Sequence, residues 1–485
     1  MSEIIVIGGG AAGMMAAIAA AENGGRVRLL EKNEKLGKKI YITGKGRCNY
    51  TNDCDFGTFI GNVVTNPRFM YSSLRAFTPQ DMTELLEANG CRTKVERGNR
   101  AFPASDHASD VTAALARRMK QLKVRVELDT EVLKVERSVN REMYTAVKAE
   151  NACEKVKEPL SGNASKESRE AINAEPGETR FKITAMSGRS KKRSVYGADR
   201  VIVATGGLSY PSTGSTGEGY RIAKDLGLSC SKLSPALVPL TAAETDYEEL
   251  QGVSLKNVSV RLYAGSGKLL MDSEPGELLF THFGLSGPLI LSASSLAAAD
   301  TAAGNIVCDN NTDHRIGNLE KNNGRLRLEI DLKPALTDEM LDQRLLRDFE
   351  DSMNMNIANA LSKLLIAALR PVILRRAGIA EEKKVRDITR EERRRLVRAI
   401  KHMEYTVTGT RGYNEAIITH GGVSVSEINP KTMESKKVPG LYFAGEVLDV
   451  DAYTGGFNLQ IAWSTGHAAG KAAGHGARTA AAGFR

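Results

Sequence analysis

Gly8, Gly10 and Gly13 follow the apolar run Ile4, Ile5, Val6 and Ile7, with Ala12 just before the last glycine. That spacing suits a phosphate-binding turn. The first glycine permits a tight turn, the second lets the backbone approach a pyrophosphate, and the third lets helix and strand pack closely. The N–H groups opening the following helix, Ala12 among them, would face the anion with the positive end of the helix dipole. Glu31 ends the next apolar run, where a carboxylate can accept both hydroxyls of a ribose. An acid there disfavours a 2′-phosphate, so the tightly held dinucleotide is expected to be FAD or NAD.

Three later segments favour FAD. Residues 201–203 are apolar and run into Ala204, Thr205 and Gly206, where a second crossing of the sheet would meet the dinucleotide. Residues 440–446 end in Gly445 and Glu446, an acid able to hydrogen-bond a polyol such as the ribityl chain. Residues 455–460 open a last helix, reaching to 473, whose N-terminus could stabilise negative charge at the pyrimidine edge of a reduced flavin. A site drawn from the beginning, middle and end of the chain suits a long, deeply held cofactor.

The elements that must position these residues begin as strand, turn, helix and strand within the first thirty residues, an α/β opening. Residues 4–21 could pass for a signal sequence, but they lack a basic leader and carry three consecutive glycines. Residues 138–178 are polar and poor in branched apolar side chains, and read as an insertion. From 235 the texture changes: residues 253–263 and 325–332 alternate apolar and polar, as half-buried strands do, and 300–324 is another polar excursion. Residues 337–402 turn helical, with Thr389 and Glu392 spaced as a capping box. Pro371 is expected to end or kink an apolar helix over 361–369.

Bulk composition limits the possibilities. In 485 residues, 41% hydrophobic and 26% charged, there is room for two to four domains and no run long enough to cross a bilayer. Six cysteines occur without a CxxC pair, which argues against zinc and against a disulfide framework and suggests a reducing cytoplasm. The net charge is +9, and residues 381–401 hold nine Lys or Arg against five Asp or Glu. A solvated helix face accounts for that block more readily than a nucleic-acid surface does. An RNA partner would instead rely on such cations as Arg393, Arg394 and Arg395.

Lys38 through Asn49, with Thr51 and Asn52 behind, resembles the signature of a bacterial FAD family. That family includes aminoacetone-oxidase-type enzymes and the bile-acid-inducible 3-dehydro-bile-acid reductase. Residues 281–288, 418–423 and 440–460 resemble its further motifs, with Lys45 and Ala452 as departures. The resemblance implies a discontinuous Rossmann-type FAD-binding domain with an inserted β-barrel-like domain and a small helical subdomain. The expected boundaries are 1–234, 235–335, 336–405 and 406–485. By position, Gly8, Gly10, Gly13, Glu31 and Lys32 would hold the ADP half. Arg47, Cys48 and Asn49 would run beside the pyrophosphate or ring, and Val132 would offer its backbone to the adenine. Gly445, Glu446, Asn458 and Leu459 would hold the ribityl and pyrimidine end.

Flavin carries the redox chemistry, so the protein's part is to position a small-molecule substrate and to donate protons. His282, in a glycine-rich turn of the domain expected to cover the flavin, is the first candidate acid, and Tyr453 the second. His420 is a weaker candidate, and Cys48 reads as a packing residue. No second GxGxxG occurs, so NADH or NADPH is expected to dock transiently. The leading expectation is reduction of a conjugated C=C bond in a 3-oxo bile acid or similar enone. The alternatives are an amine or aminoketone oxidase and an RNA-binding flavoprotein.

Overall fold

The computed structural model describes residues 2–137, 180–300 and 325–481. The polar segment 138–178, and all but residue 300 of 300–324, lie outside them. The chain forms two compact units, one of Met1–Leu233 with Gly421–Arg485 and the other of Ser234–His420. No helix among the described residues is long and apolar enough to cross a membrane.

The first unit is built on β1 (Glu3–Ile7), α1 (Ala11–Glu22), β2 (Arg26–Leu30), β3 (Arg125–Glu127), β4 (Arg200–Val203), β5 (Leu441–Phe443) and α2 (Phe457–Ala481). The strands lie in the order β5-β4-β1-β2-β3, all parallel. Residues 4–7 and 201–203 are unbroken apolar runs because both faces of a parallel sheet are covered. The apolar N-terminus is thus a central strand and a buried helix. On one face, α2 lies against α1 through Gly466, Gly470 and Gly474. A β-carbon at these positions would overlap the carbonyl oxygens of Ala12, Ala16 and Ala20 in turn. Small residues every fourth position let the two backbones touch.

The second unit is an antiparallel barrel. Its strands Ser254–Tyr263, Gly276–Thr281, Gly284–Ser286, Leu240–Ala242, Met403–Thr410 and Arg327–Asp331 pair in that order, and the last pairs back onto the first. The helices Asp338–Glu350, Leu369–Ala377 and Arg390–Lys401 share one core with it, where Leu341, Ile373 and Ile400 meet Leu328, Ile330 and Tyr405. The division at 335/336 therefore does not separate two cores.

Two further expectations are corrected. The return to the first unit comes at Gly421, not 406, because Met403–Thr410 is a barrel strand. Its burial alternates residue by residue, the mark of a half-buried antiparallel strand. Pro371 does not end a helix over 361–369. It sits in the first turn of Leu369–Ala377, where its missing N–H costs no helical hydrogen bond.

Candidate functional site

The turn between β1 and α1 divides its glycines by what surrounds them. Gly8 has φ +100°, and a side chain there would meet the Ala204 carbonyl. A β-carbon at Gly13 would overlap the Gly8 carbonyl oxygen. At Gly10, by contrast, a β-carbon meets nothing within 4 Å. Gly10 is also the N-cap of α1, and no side chain caps that helix. The first turn, Ala12 included, thus keeps its N–H groups and open space before them.

Glu31, 7% exposed, steadies this turn from the end of β2. Its Oε2 accepts from the Gly9 N–H at 2.6 Å, and its Oε1 accepts from the N–H and side-chain amide of Asn33 at 2.8 and 2.7 Å. A carboxylate offers about four acceptor positions, so room remains for one more donor such as a ribose hydroxyl. Lys32 reaches Thr216 at 2.7 Å and pairs with Glu218.

At the other end of the sheet, Glu446 follows β5. Lys39 donates to it at 2.6 Å and Ser209 at 2.6 Å. Lys39 lies in the signature stretch, and Ser209 follows the Thr205–Gly206 turn. Neither was assigned a role from the sequence. The Asn458 side chain accepts from the Ala452 N–H at 2.9 Å and donates to the Ala452 carbonyl at 2.7 Å, so it clamps the loop ahead of α2. Leu459 is half-buried against the core.

Among the buried polar atoms of this unit without a hydrogen-bond partner in the described residues are Thr205 Oγ1 and Asn49 Oδ1, with His467 Nδ1 on the last helix. An unpaired buried polar atom is costly and calls for an explanation. Thr205 and Asn49 lie in segments expected to line the dinucleotide. The uncapped helix, the open face of Gly10, the buried acid at Glu31 and these two atoms fit a bound FAD.

Other candidates fall differently. The Arg47 guanidinium is committed to Asp106 at 2.7 Å and to Glu96, and it stacks on Phe102 at 4.2 Å. Its side chain braces the small antiparallel sheet of Thr51–Asn52, Arg100–Pro103 and Thr93–Glu96. Cys48 is fully buried, and burial pushes its thiol up to about 12, so it is a packing residue rather than a thiolate. Lys45 and Cys48 both take left-handed φ, at 57° and 60°. Val132 lies in the strand Thr130–Arg137, opposite Ala185, where the pairing register shifts. Burial, with the charge of Asp451 adding to it, raises the Tyr453 phenol above its usual value, so it stays protonated and able to donate. His420 is buried in a strand of the second unit. His282 also belongs to that unit, exposed at the two-residue tip between Gly276–Thr281 and Gly284–Ser286, with its ring edge-on to Phe283.

The model of the HI0933-like protein Rossmann domain matches residues 2–164 and 166–472. The chain belongs to this family. It is 30% identical over 470 residues to a ribosomal RNA dihydrouridine synthase of Haemophilus influenzae, spanning 96% of this chain and 97% of that one. It is 29% identical over 476 residues to a 3-dehydro-bile acid delta(4,6)-reductase of Clostridium scindens, spanning 98% and 99%. A ribosomal RNA dihydrouridine synthase of Escherichia coli is 29% identical over 464 residues, spanning 96% of each chain. Family and cradle together make this HI0933-like chain an FAD-dependent oxidoreductase.

Proposed function

We propose that the chain reduces a C=C bond conjugated to a carbonyl, with a nicotinamide nucleotide as electron source and a uracil base of RNA as substrate. The observation that carries this is the one act the relatives' names share. A dihydrouridine synthase saturates the C5=C6 bond of a uracil, which is conjugated to the C4 carbonyl. A delta(4,6)-reductase saturates bonds conjugated to a 3-oxo group. Bound FAD supplies the hydride for such a bond.

What remains for the protein is to hold the acceptor and to deliver a proton to the carbon next to the carbonyl. Tyr453, kept protonated by burial, is the proposed donor for that step from within the FAD-binding unit. Between the two substrates, the net charge of +9 and the arginine-rich segment support RNA. The 3-oxo bile acid is the second reading, supported by near-complete alignment with the bile-acid enzyme. A reducing cytoplasm is the proposed setting. The test is anaerobic incubation of the flavin-loaded protein with NADH or NADPH and ribosomal RNA, then mass spectrometry of the nucleosides. A uridine gaining two hydrogens supports the reading. Unchanged RNA together with a reduced 3-oxo steroid moves the assignment to the second.

A further inference from the structure

We propose that Lys39 is a positioning residue for the cofactor: its ammonium fixes the Glu446 carboxylate across the crevice that takes the dinucleotide. The inference concerns cofactor binding and holds for either substrate considered above. Sheet order places the crevice. From β1 the chain runs outward to β2 on one side, while β4 and β5 lie on the other. Open parallel sheets bind ligands outside the carboxyl ends of their strands where the order reverses, here between β1 and β4. The glycine turn after β1 stands at that point, and the Ala204 carbonyl after β4 is what a side chain at Gly8 would strike.

Lys39 belongs to the segment leaving β2, Ser209 to the segment leaving β4, and Glu446 to the turn leaving β5. Side chains from both sides of the reversal therefore close one triangle. Lys39 Nζ donates to Glu446 Oε2 at 2.6 Å and to Ser209 Oγ at 2.8 Å, and Ser209 Oγ donates to Glu446 Oε1 at 2.6 Å. Ser209 is fully buried, and the Lys39 and Glu446 side chains are 23% and 20% exposed. Both carboxylate oxygens are thus held in place.

The residue before Glu446 is pinned as well. Gly445 has φ +78°, its N–H donates to Thr465 Oγ1 at 2.9 Å, and a β-carbon on it would come within 2.7 Å of the Ala12 β-carbon. Ala12 lies in the first turn of α1, so Glu446 stands beside the helix N-terminus that faces the pyrophosphate. A site for an anionic pyrophosphate that also contains the Glu31 and Glu446 carboxylates gathers negative charge, and Lys39 offsets it at one of them. Its neighbours do not share this task. Lys35 lies over the Tyr41 ring and Lys38 pairs with Glu34, both within the segment after β2, whereas Lys39 crosses to the turns after β4 and β5.

The test uses the full-length flavin-loaded protein and follows FAD released on serial dilution by the rise of free-flavin fluorescence. Lys39→Met is expected to weaken FAD binding about ten-fold or more, the scale of a lost hydrogen bond to a charged group. Lys39→Arg, which keeps the charge, should recover most of that loss. Because Lys39 acts through Glu446, its effect should vanish once Glu446 is replaced. Lys39→Met added to Glu446→Gln is expected to cost less than about two-fold further. Circular dichroism of each variant checks that it is folded. If Lys39→Met does not fold, Ser209→Ala carries the same test, with weaker FAD binding when Glu446 is present and no further loss beside Glu446→Gln. Unchanged FAD affinity in Lys39→Met, or a loss of equal size with and without Glu446→Gln, would overturn the assignment.

Discussion

The turn after β1 and the helix Arg390–Lys401 sort residues of one type in different ways. In the turn the sorting lies in the backbone's surroundings: at Gly8 and Gly13 a side chain would strike a carbonyl, whereas a β-carbon at Gly10 meets nothing within 4 Å. In the helix the sorting lies in side chains: Arg393 is held by Asp342 at 2.6 Å, while Arg394 stays exposed with only a loose pair to Glu391. Residues of one type, within a few positions of each other, divide into those that hold the fold and those that are left open to their surroundings. Gly13 and Gly10 divide this way, and so do Arg393 and Arg394. Spacing finds the group, and surroundings decide which member does which.

That comparison is broken most forcefully at Gly13. Gly13→Val should leave little soluble protein, because the clash is with backbone that cannot move aside, and expression with circular dichroism checks it. In the second unit, Lys401→Met leaves Asp331 buried and unpaired. It should lower unfolding free energy by about 3–5 kcal/mol in chemical denaturation. Thr389→Ala removes one half of the capping box and should cost about 1 kcal/mol by the same measurement. Gly10→Val should barely change the stability of the apo-protein, since its side chain meets open space, yet it should purify without flavin. If Gly10→Val retains full flavin absorbance, the turn is not the phosphate site. If it fails to fold, the distinction between Gly10 and Gly13 disappears.

Much of the first unit was legible because its signals are local. The glycine spacing, the two apolar strands and Glu31 lie within thirty residues, and the capping box at Thr389 and Glu392 spans four. What escaped is non-local. The Lys39–Glu446 pair joins residues 407 apart, and no periodicity links them. The strand Met403–Thr410 reads like any strand until its partners are known, although its strict alternation favours a barrel over a parallel sheet. Gly466, Gly470 and Gly474 did carry a readable signal, a small residue every fourth position on the last helix. Pro371 misled because a proline that opens a helix and one that ends it look alike without the flanking geometry. Arg47 stands in a cofactor signature, yet its guanidinium is spent on Glu96 and Asp106, which lie about fifty residues away.

The central claim is that reducing equivalents pass from a nicotinamide through this FAD cradle to a C=C bond conjugated to a carbonyl. The direct measurement is anaerobic stopped-flow of the purified protein, first bleached with NADH or NADPH, then mixed separately with ribosomal RNA and with a 3-oxo-Δ4 steroid. Return of the yellow oxidised spectrum with one of them, with the corresponding C=C bond saturated in the product, is the predicted result. A flavin that stays bleached with both and recovers only when oxygen is admitted would contradict the claim and favour an oxidase.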